Sequence, residues 1–381
     1  MRVQLTAWAL ALGASLVGQP AVAQDRLEAA TRVDVYADEW ITVVSPATRV
    51  VGRPTESVEV EMRYSADVVS GATHAYTVDA VTSATLFSEE RHQVVASGAL
   101  EVAPTWWLGA SYTGSLEPDA VAHVPGLSMS GEVLDRMVRI RGSYRLELAD
   151  LGLVTDEQFS QRSATHILEA QWTHILDART VLALLVSGDL AVCDELTGCH
   201  SSPYRYVPVV VDGGTPGTTQ VAVRERHPDA RLRGAAAARI SHHIGDGWAA
   251  HGGYRFYGDS WEVIGHTFDA ALAKELLGGD LLLRLDGRVT WHSAAAFFRP
   301  TYATAATSAR IPAYRTGDRE MSGLVDGTVG LRAEWALGQL GPLSQLRISG
   351  RVARLWYRYP RFEALPERNA WLIGGGAHAI F

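Results

Sequence analysis

The chain has 381 residues, 47% of them apolar and 20% charged, and 42 Asp and Glu against 34 Lys and Arg give a net charge of −8. This is too apolar for a disordered chain, and the acidic balance argues against a nucleic-acid binder, which needs a basic stripe. Two Cys exclude a disulfide-rich scaffold and a four-thiolate metal site, and one Lys, Lys274, leaves almost no candidate for lysine-dependent catalysis.

Arg2 precedes the apolar stretch Leu5 to Val17, and Gln19-Pro20 and Ala21-Val22-Ala23 follow. A charged start, an apolar middle and an A-x-A site predict a secretory signal peptide over 1–23. The absence of a Cys after Ala23 argues against a lipid-anchored mature N-terminus. Beyond residue 24 no run of about 18 apolar residues occurs, so no spanning helix is expected. The mature chain, 24–381, is then either soluble and exported or a single barrel domain in the outer membrane.

Alternation decides between them. Val58, Val60, Met62 and Tyr64 interleave with Glu59, Glu61, Arg63 and Ser65. Leu281, Leu283, Leu285, Gly287, Val289 and Trp291 interleave with Arg284, Asp286, Arg288 and His292, and Val325 to Leu337 repeats the pattern around Arg332 and Glu334. Successive side chains of a strand point to opposite faces, so each segment has one apolar and one charged side. A soluble sandwich also alternates, but its strands average about 5–6 residues, and these run to about 11–16.

The expected fold is an all-β, antiparallel, up-and-down transmembrane barrel. Strands are predicted over 31–37, 40–51, 55–66, 89–101, 105–115, 120–131, 137–147, 163–177, 179–193, 229–245, 247–258, 261–275, 279–294, 324–338, 343–358 and 369–381. That is sixteen, an even number, as bacterial barrels have. Fourteen follows if 31–51 holds one strand and 120–131 is a loop. With both ends in the periplasm, the short turns fall there and the long connections 67–88, 148–162, 194–228, 295–323 and 359–368 fall outside, which is the usual asymmetry.

Eleven Trp and thirteen Tyr gather near segment ends, as interfacial girdles in contact with outer-membrane lipid require. The last strand alternates Trp371, Ile373, Gly375, Ala377, Ala379 and Phe381. Its terminal Phe381 resembles the signal that the barrel assembly machinery reads. Inward faces carry both signs: Glu59, Glu61, Arg63, Arg284, Asp286, Arg288, Arg332 and Glu334 are expected in the lumen. They suit a water-filled pore and equally a salt-bridged, closed interior.

The segments Tyr36 to Pro46, Val78 to Thr85, Ser202 to Val207 and Tyr254 to Trp261 together resemble an uncharacterised bacterial family, domain of unknown function 3570. The likeness runs over nearly all the mature chain. It implies an outer-membrane β-barrel of unassigned activity and carries no catalytic residues across. Within it, Tyr36-x-Asp38-x-Trp40 is echoed by Tyr257-x-Asp259-x-Trp261, each at a tight connection where Asp can accept a backbone N–H.

Asp67 to Thr73 and Asp79 to Thr85 both read D-x-x-[ST]-[GS]-A-T. This resembles the acceptor motif of the exported FMN transferase, and implies covalent FMN on Thr73 or, with Ser83 in place of the Gly, on Thr85. A polar loop of small turn formers is the plainer reading, and the strand count puts it outside the cell while the transferase is periplasmic.

Cys193 and Cys199 are expected to form a small disulfide loop in an oxidising compartment. The thirteen His show no H-E-x-x-H, and His242-His243 point to opposite faces of a strand. G-x-S-x-G is absent, and so is a strand-to-helix G-x-G-x-x-G, so no catalytic residue or metal ligand is nominated. The function expected is a pore or transport component of unknown substrate. The alternatives are a flavinylated redox carrier and a structural surface barrel.

Overall fold

The computed structural model describes residues 27–73, 85–152, 158–194, 199, 206–212, 219–305, 311–363 and 365–381. The predicted signal peptide 1–23 and the Asp79 to Ala84 part of the second acceptor motif lie outside them.

The chain forms one closed antiparallel barrel of sixteen strands. β1 (Leu27–Ala37), β2 (Ile41–Thr55), β3 (Val58–Thr73), β4 (Thr85–Ala103), β5 (Trp106–Leu116), β6 (Ala120–Val133), β7 (Val138–Leu151), β8 (Gln161–Asp177) and β9 (Thr180–Cys193) follow as hairpin neighbours. Two strands outside the barrel come next, β10 (Tyr206–Asp212) and β11 (Thr219–Arg224). The wall resumes with β12 (Ala230–Gly245), β13 (Trp248–Asp259), β14 (Ile264–Leu276) and β15 (Leu281–Ala294). β16 (Tyr302–Ala305) joins β10 and β11 in a small separate sheet, and β17 (Ser322–Leu340), β18 (Leu343–Arg358) and β19 (Glu367–Ile380) complete the wall. Closure is the antiparallel pairing of β1 with β19, Glu28 opposite Ile380 through Ala37 opposite Trp371.

Each predicted strand is present, and the two doubtful regions, 31–51 and 120–131, hold two strands and one. β3 and β4 overrun the forecast, so 67–73 and 85–88 of the predicted loop 67–88 are strand, and 74–84 lie outside the described residues. Its Ser, Gly, Ala and Thr read locally as turn formers, but pairing from Asp67 opposite Arg91 to Thr73 opposite Thr85 carries them on as strand.

Apolar side chains face out. Met62 is 63% exposed, Leu127 61% and Leu168 60%, as are comparable residues around the whole wall. An apolar surface of this extent belongs against lipid. At the end holding the start of β1 and the end of β19, turns are tight. Asp246 and Gly247 join β12 to β13 with φ of 49° and 72°, the Asp-Gly type I′ geometry that matches strand twist. The opposite end carries the long connections, including 194–229 and 295–321, which hold the separate sheet.

Candidate functional site in the barrel lumen

The odd-numbered residues of β3 turn away from the exposed Val60, Met62 and Tyr64, which places Glu59, Glu61 and Arg63 on the inner wall. Glu61 accepts from Arg49 at 2.9 Å and from Arg63 at 2.7 Å, and Arg53 bridges Glu59 at 3.0 Å and Glu28 at 3.1 Å. By the same alternation Arg284, Asp286 and Arg288 of β15 and Arg332 and Glu334 of β17 face inward, with Arg347 donating to Glu334 at 3.1 Å.

Register then does what sequence spacing could not reveal. Arg284 lies opposite Arg332, and Arg332 lies opposite Arg351, so three arginines stand in one row across β15, β17 and β18. Like charges directly opposite repel, so this row costs stability. Arg351 is relieved by Asp34, which accepts from its Nε at 2.9 Å. Arg284 and Arg332 have no carboxylate within 4.0 Å among the described residues. The row opens on a recess of about 300 Å³ whose charged lining is Asp269, Arg284, Asp286, Arg288, Arg332 and Arg351.

The outer mouth is built by the two Y-x-D-x-W segments. Asp38 Oδ1 accepts from the backbone N–H of Trp40 and Ile41, both at 2.8 Å, and Oδ2 accepts from Tyr36 at 3.0 Å. Asp259 repeats this with Trp261 and Val263, both at 2.9 Å, and Tyr257 at 2.8 Å. Each also holds an arginine that the sequence did not nominate, Arg368 at Asp38 and Arg231 at Asp259. Burial alone would raise the Asp38 carboxyl, but the two backbone amides and Arg368 hold it below the usual range.

A cap covers part of this mouth. Cys199, Ala295 and Phe298 pack on Ala191, an inward residue at the outer end of β9, with Trp261 and Val263 completing the cluster. Cys193 and Cys199 are joined by a disulfide at its edge. Beneath lies His227, fully buried, with Nδ1 at 2.8 Å from the Cys199 carbonyl and Nε2 at 3.3 Å from Glu225. Glu225 also accepts from the Thr316 hydroxyl. Thr73 ends β3 and Thr85 opens β4, directly paired, at the long-loop end of the barrel.

The closed wall, its apolar outside and its charged inside define a transmembrane β-barrel of the bacterial outer-membrane class. The chain belongs to the family described as "Protein of unknown function (DUF3570)", whose model matches residues 155–359. The match is shorter than the near-complete likeness expected: the Tyr36 to Pro46 and Val78 to Thr85 segments lie outside it. No curated protein matches by sequence. Among solved structures, a bacterial polysaccharide outer membrane secretin is similar with a TM-score of 0.51 and 9% identity, covering 94% of this chain and 100% of that one. The siderophore receptor PirA from Pseudomonas aeruginosa has a TM-score of 0.46 and 11% identity over 89% of this chain, which spans 57% of the receptor. The CymD monoaromatic hydrocarbon channel has 0.45 and 10%, over 98% of this chain and 92% of that one.

Proposed function

We propose that this barrel is a pore or transport component of the outer membrane whose lumen favours anionic solutes. The observation that carries this is the row Arg284, Arg332 and Arg351 on the inner wall. Guanidinium groups present planar forks of donors that fit carboxylate and phosphate, and a solute anion would relieve the repulsion within the row. The test is current through the folded chain in a planar bilayer under a KCl gradient. Stepwise conductance with a reversal potential displaced toward that of chloride supports the reading, and R284Q/R332Q should move it back. A silent barrel overturns the pore, and a cation-selective one overturns the anion preference.

A second reading takes support from the direct pairing of Thr73 with Thr85, which brings both acceptor hydroxyl residues to one hairpin. In it, one Thr oxygen attacks the flavin-side phosphorus of a flavin dinucleotide. The adenylate half leaves and the hydroxyl proton is lost, so FMN stays on as a phosphoester. The barrel would then carry electrons rather than solutes. Mass analysis of peptide 64–91, bounded by Arg63 and Arg91, after co-expression with an FMN transferase decides this. An adduct supports it, an unmodified peptide removes it, and a folded barrel with neither adduct nor current is left as a structural surface protein.

Two further assignments complete this proposal. Residues 1–23 act as a cleaved export signal, and β19 with Phe381 engages the assembly machinery. Deleting Phe381 should lower the folded fraction in outer membranes.

A further inference from the structure

Four hairpins of the wall carry the same pair of side chains on the lipid-facing surface. The Tyr64 hydroxyl lies 2.9 Å from His92 Nδ1, Tyr112 2.5 Å from His123, Tyr144 2.8 Å from His166 and Tyr254 2.8 Å from His266. Each Tyr stands six residues into its strand, counted from Val58, Trp106, Val138 and Trp248. Each His stands on the next strand, opposite the residue two beyond the Tyr: His92 opposite Ala66, His123 opposite Gly114, His166 opposite Leu146 and His266 opposite Phe256. Three of the pairs occupy the continuous arc β3 to β8.

The repeat sets a level. At about 3.3 Å per residue and a tilt of about 40°, six residues rise about 15 Å and eight about 20 Å, within an apolar band about 25 Å tall. Trp106 and Trp248 open β5 and β13 at the turn side and mark the lower edge of that band. The histidines therefore sit just under the upper edge. Outward charges begin directly above: Glu90 lies two residues beyond His92, with its carboxylate 3.7 Å from Nε2, and the ion pair of Arg162 and Asp150 lies beyond His166.

The chemistry of the pair names a partner. When the phenol donates to Nδ1, the neutral ring keeps its proton on Nε2; a protonated ring also presents N–H there. Among the described residues nothing hydrogen-bonds Nε2 of His123, His166 or His266. An N–H donor at the edge of hydrocarbon is costly unless an acceptor meets it, and the acceptor at this depth is the lipid headgroup. We infer that the Tyr112–His123, Tyr144–His166 and Tyr254–His266 pairs are binding sites for phosphate groups of the outer-leaflet lipid, with Nε2–H as donor and the Tyr hydroxyl fixing the ring, whereas His92 already faces Glu90.

The test uses the full folded chain in mixed micelles with lipid A bearing or lacking its phosphates, and retained lipid read by native mass spectrometry. The expected result is a preference for the phosphorylated form of about tenfold, lost in H123F/H166F/H266F and reduced in Y112F/Y144F/Y254F. Barrel integrity is followed by heat-dependent gel mobility. Equal retention of both lipids by the unaltered chain overturns the inference. So does a preference that survives the His substitutions, which would leave the pairs as a structural girdle. If the triple variant does not fold, H123F alone should lower the preference about twofold, and an unchanged ratio there overturns it equally.

Discussion

Asp34 and Arg351 stand 317 residues apart and meet across an intervening strand: Arg351 on β18 donates to Asp34 on β1 at 2.9 Å, over the top of β19. They reach each other because the residue between them in register is Gly374. A Cβ there would lie 2.0 Å from Asp34 Oδ1. The pair thus ties the first barrel strand to the second-last one across the closing seam.

The first prediction concerns that seam. G374A should destabilise the barrel, since the added methyl must displace the carboxylate from its partner. D34N should cost about 2 kcal/mol by leaving Arg351 without its ion pair. Both are checked by the temperature at which the folded gel band converts, and G374A should be the more severe because it adds a clash to the lost pairing. Equal transitions for all three proteins would mean that closure rests on backbone hydrogen bonds alone.

The arginine row predicts a separation of stability from selectivity. R332Q removes the middle of three facing like charges and should raise the thermal transition, by about 0.5–1 kcal/mol. The same variant should reduce anion selectivity in the bilayer. R284Q/R332Q should gain less stability than the two single changes added together, because removing either charge already relieves their mutual repulsion. Additive gains would show that the guanidinium groups do not feel one another across the strands.

Much of this architecture was legible in the chain because a lipid-facing wall imposes a strict period of two. Val60, Met62 and Tyr64 against Glu59, Glu61 and Arg63 state both the strand and its sides. What depends on register was not legible. Arg284 and Arg332 are visible as inward charges and Arg351 is not among those nominated, and the row of three exists only once turn lengths fix which residues face. The Asp of each Y-x-D-x-W segment reads as a turn residue, while Arg368 arrives from β19 at the other end of the chain and Arg231 from the outer end of β12, the strand paired with β13. The sheet of β10, β11 and β16 falls within the predicted long connections 194–228 and 295–323, although Tyr206 to Val211 is rich in Val. Its parallel partner, Tyr302 opposite Val209, lies too far along the chain for any local pattern to show. The Tyr–His pairs carry a sequence signal, a Tyr six residues into each strand, that only the strand starts make countable.

The mouth predicts an acid sensitivity. The Asp38 carboxyl titrates below its ordinary value of 3.8 in the folded barrel, so its contribution is full above that value and is lost as pH falls through the lower folded value. D38N should therefore be less stable than the unaltered chain at pH 7, and the gap should narrow only as the pH drops below 3.8. A gap that closes well above that pH would assign the stabilisation to another group.

The disulfide makes the last prediction. Cys193 is the final residue of β9 and Cys199 is fully buried against Ala191, Trp261 and Phe298, so the bond pins the start of the long 194–229 connection onto the inner wall. His227 adds a second tether from further along the same connection, through the Cys199 carbonyl. A reduced loop loses the covalent constraint, and for a ring this small the chain-entropy estimate is about 2–3 kcal/mol, which is local rather than global because sixteen paired strands do not depend on it. Reduction, or C193S/C199S, should therefore speed proteolytic cleavage within 194–229 about tenfold or more, while the barrel's thermal transition stays unchanged. In the bilayer the same treatment should alter the open-channel noise before it alters the mean conductance, since the cap covers one side of the mouth and the arginine row stands free of it. Cleavage at an unchanged rate would mean that the Ala191, Trp261 and Phe298 packing holds the cap without the bond.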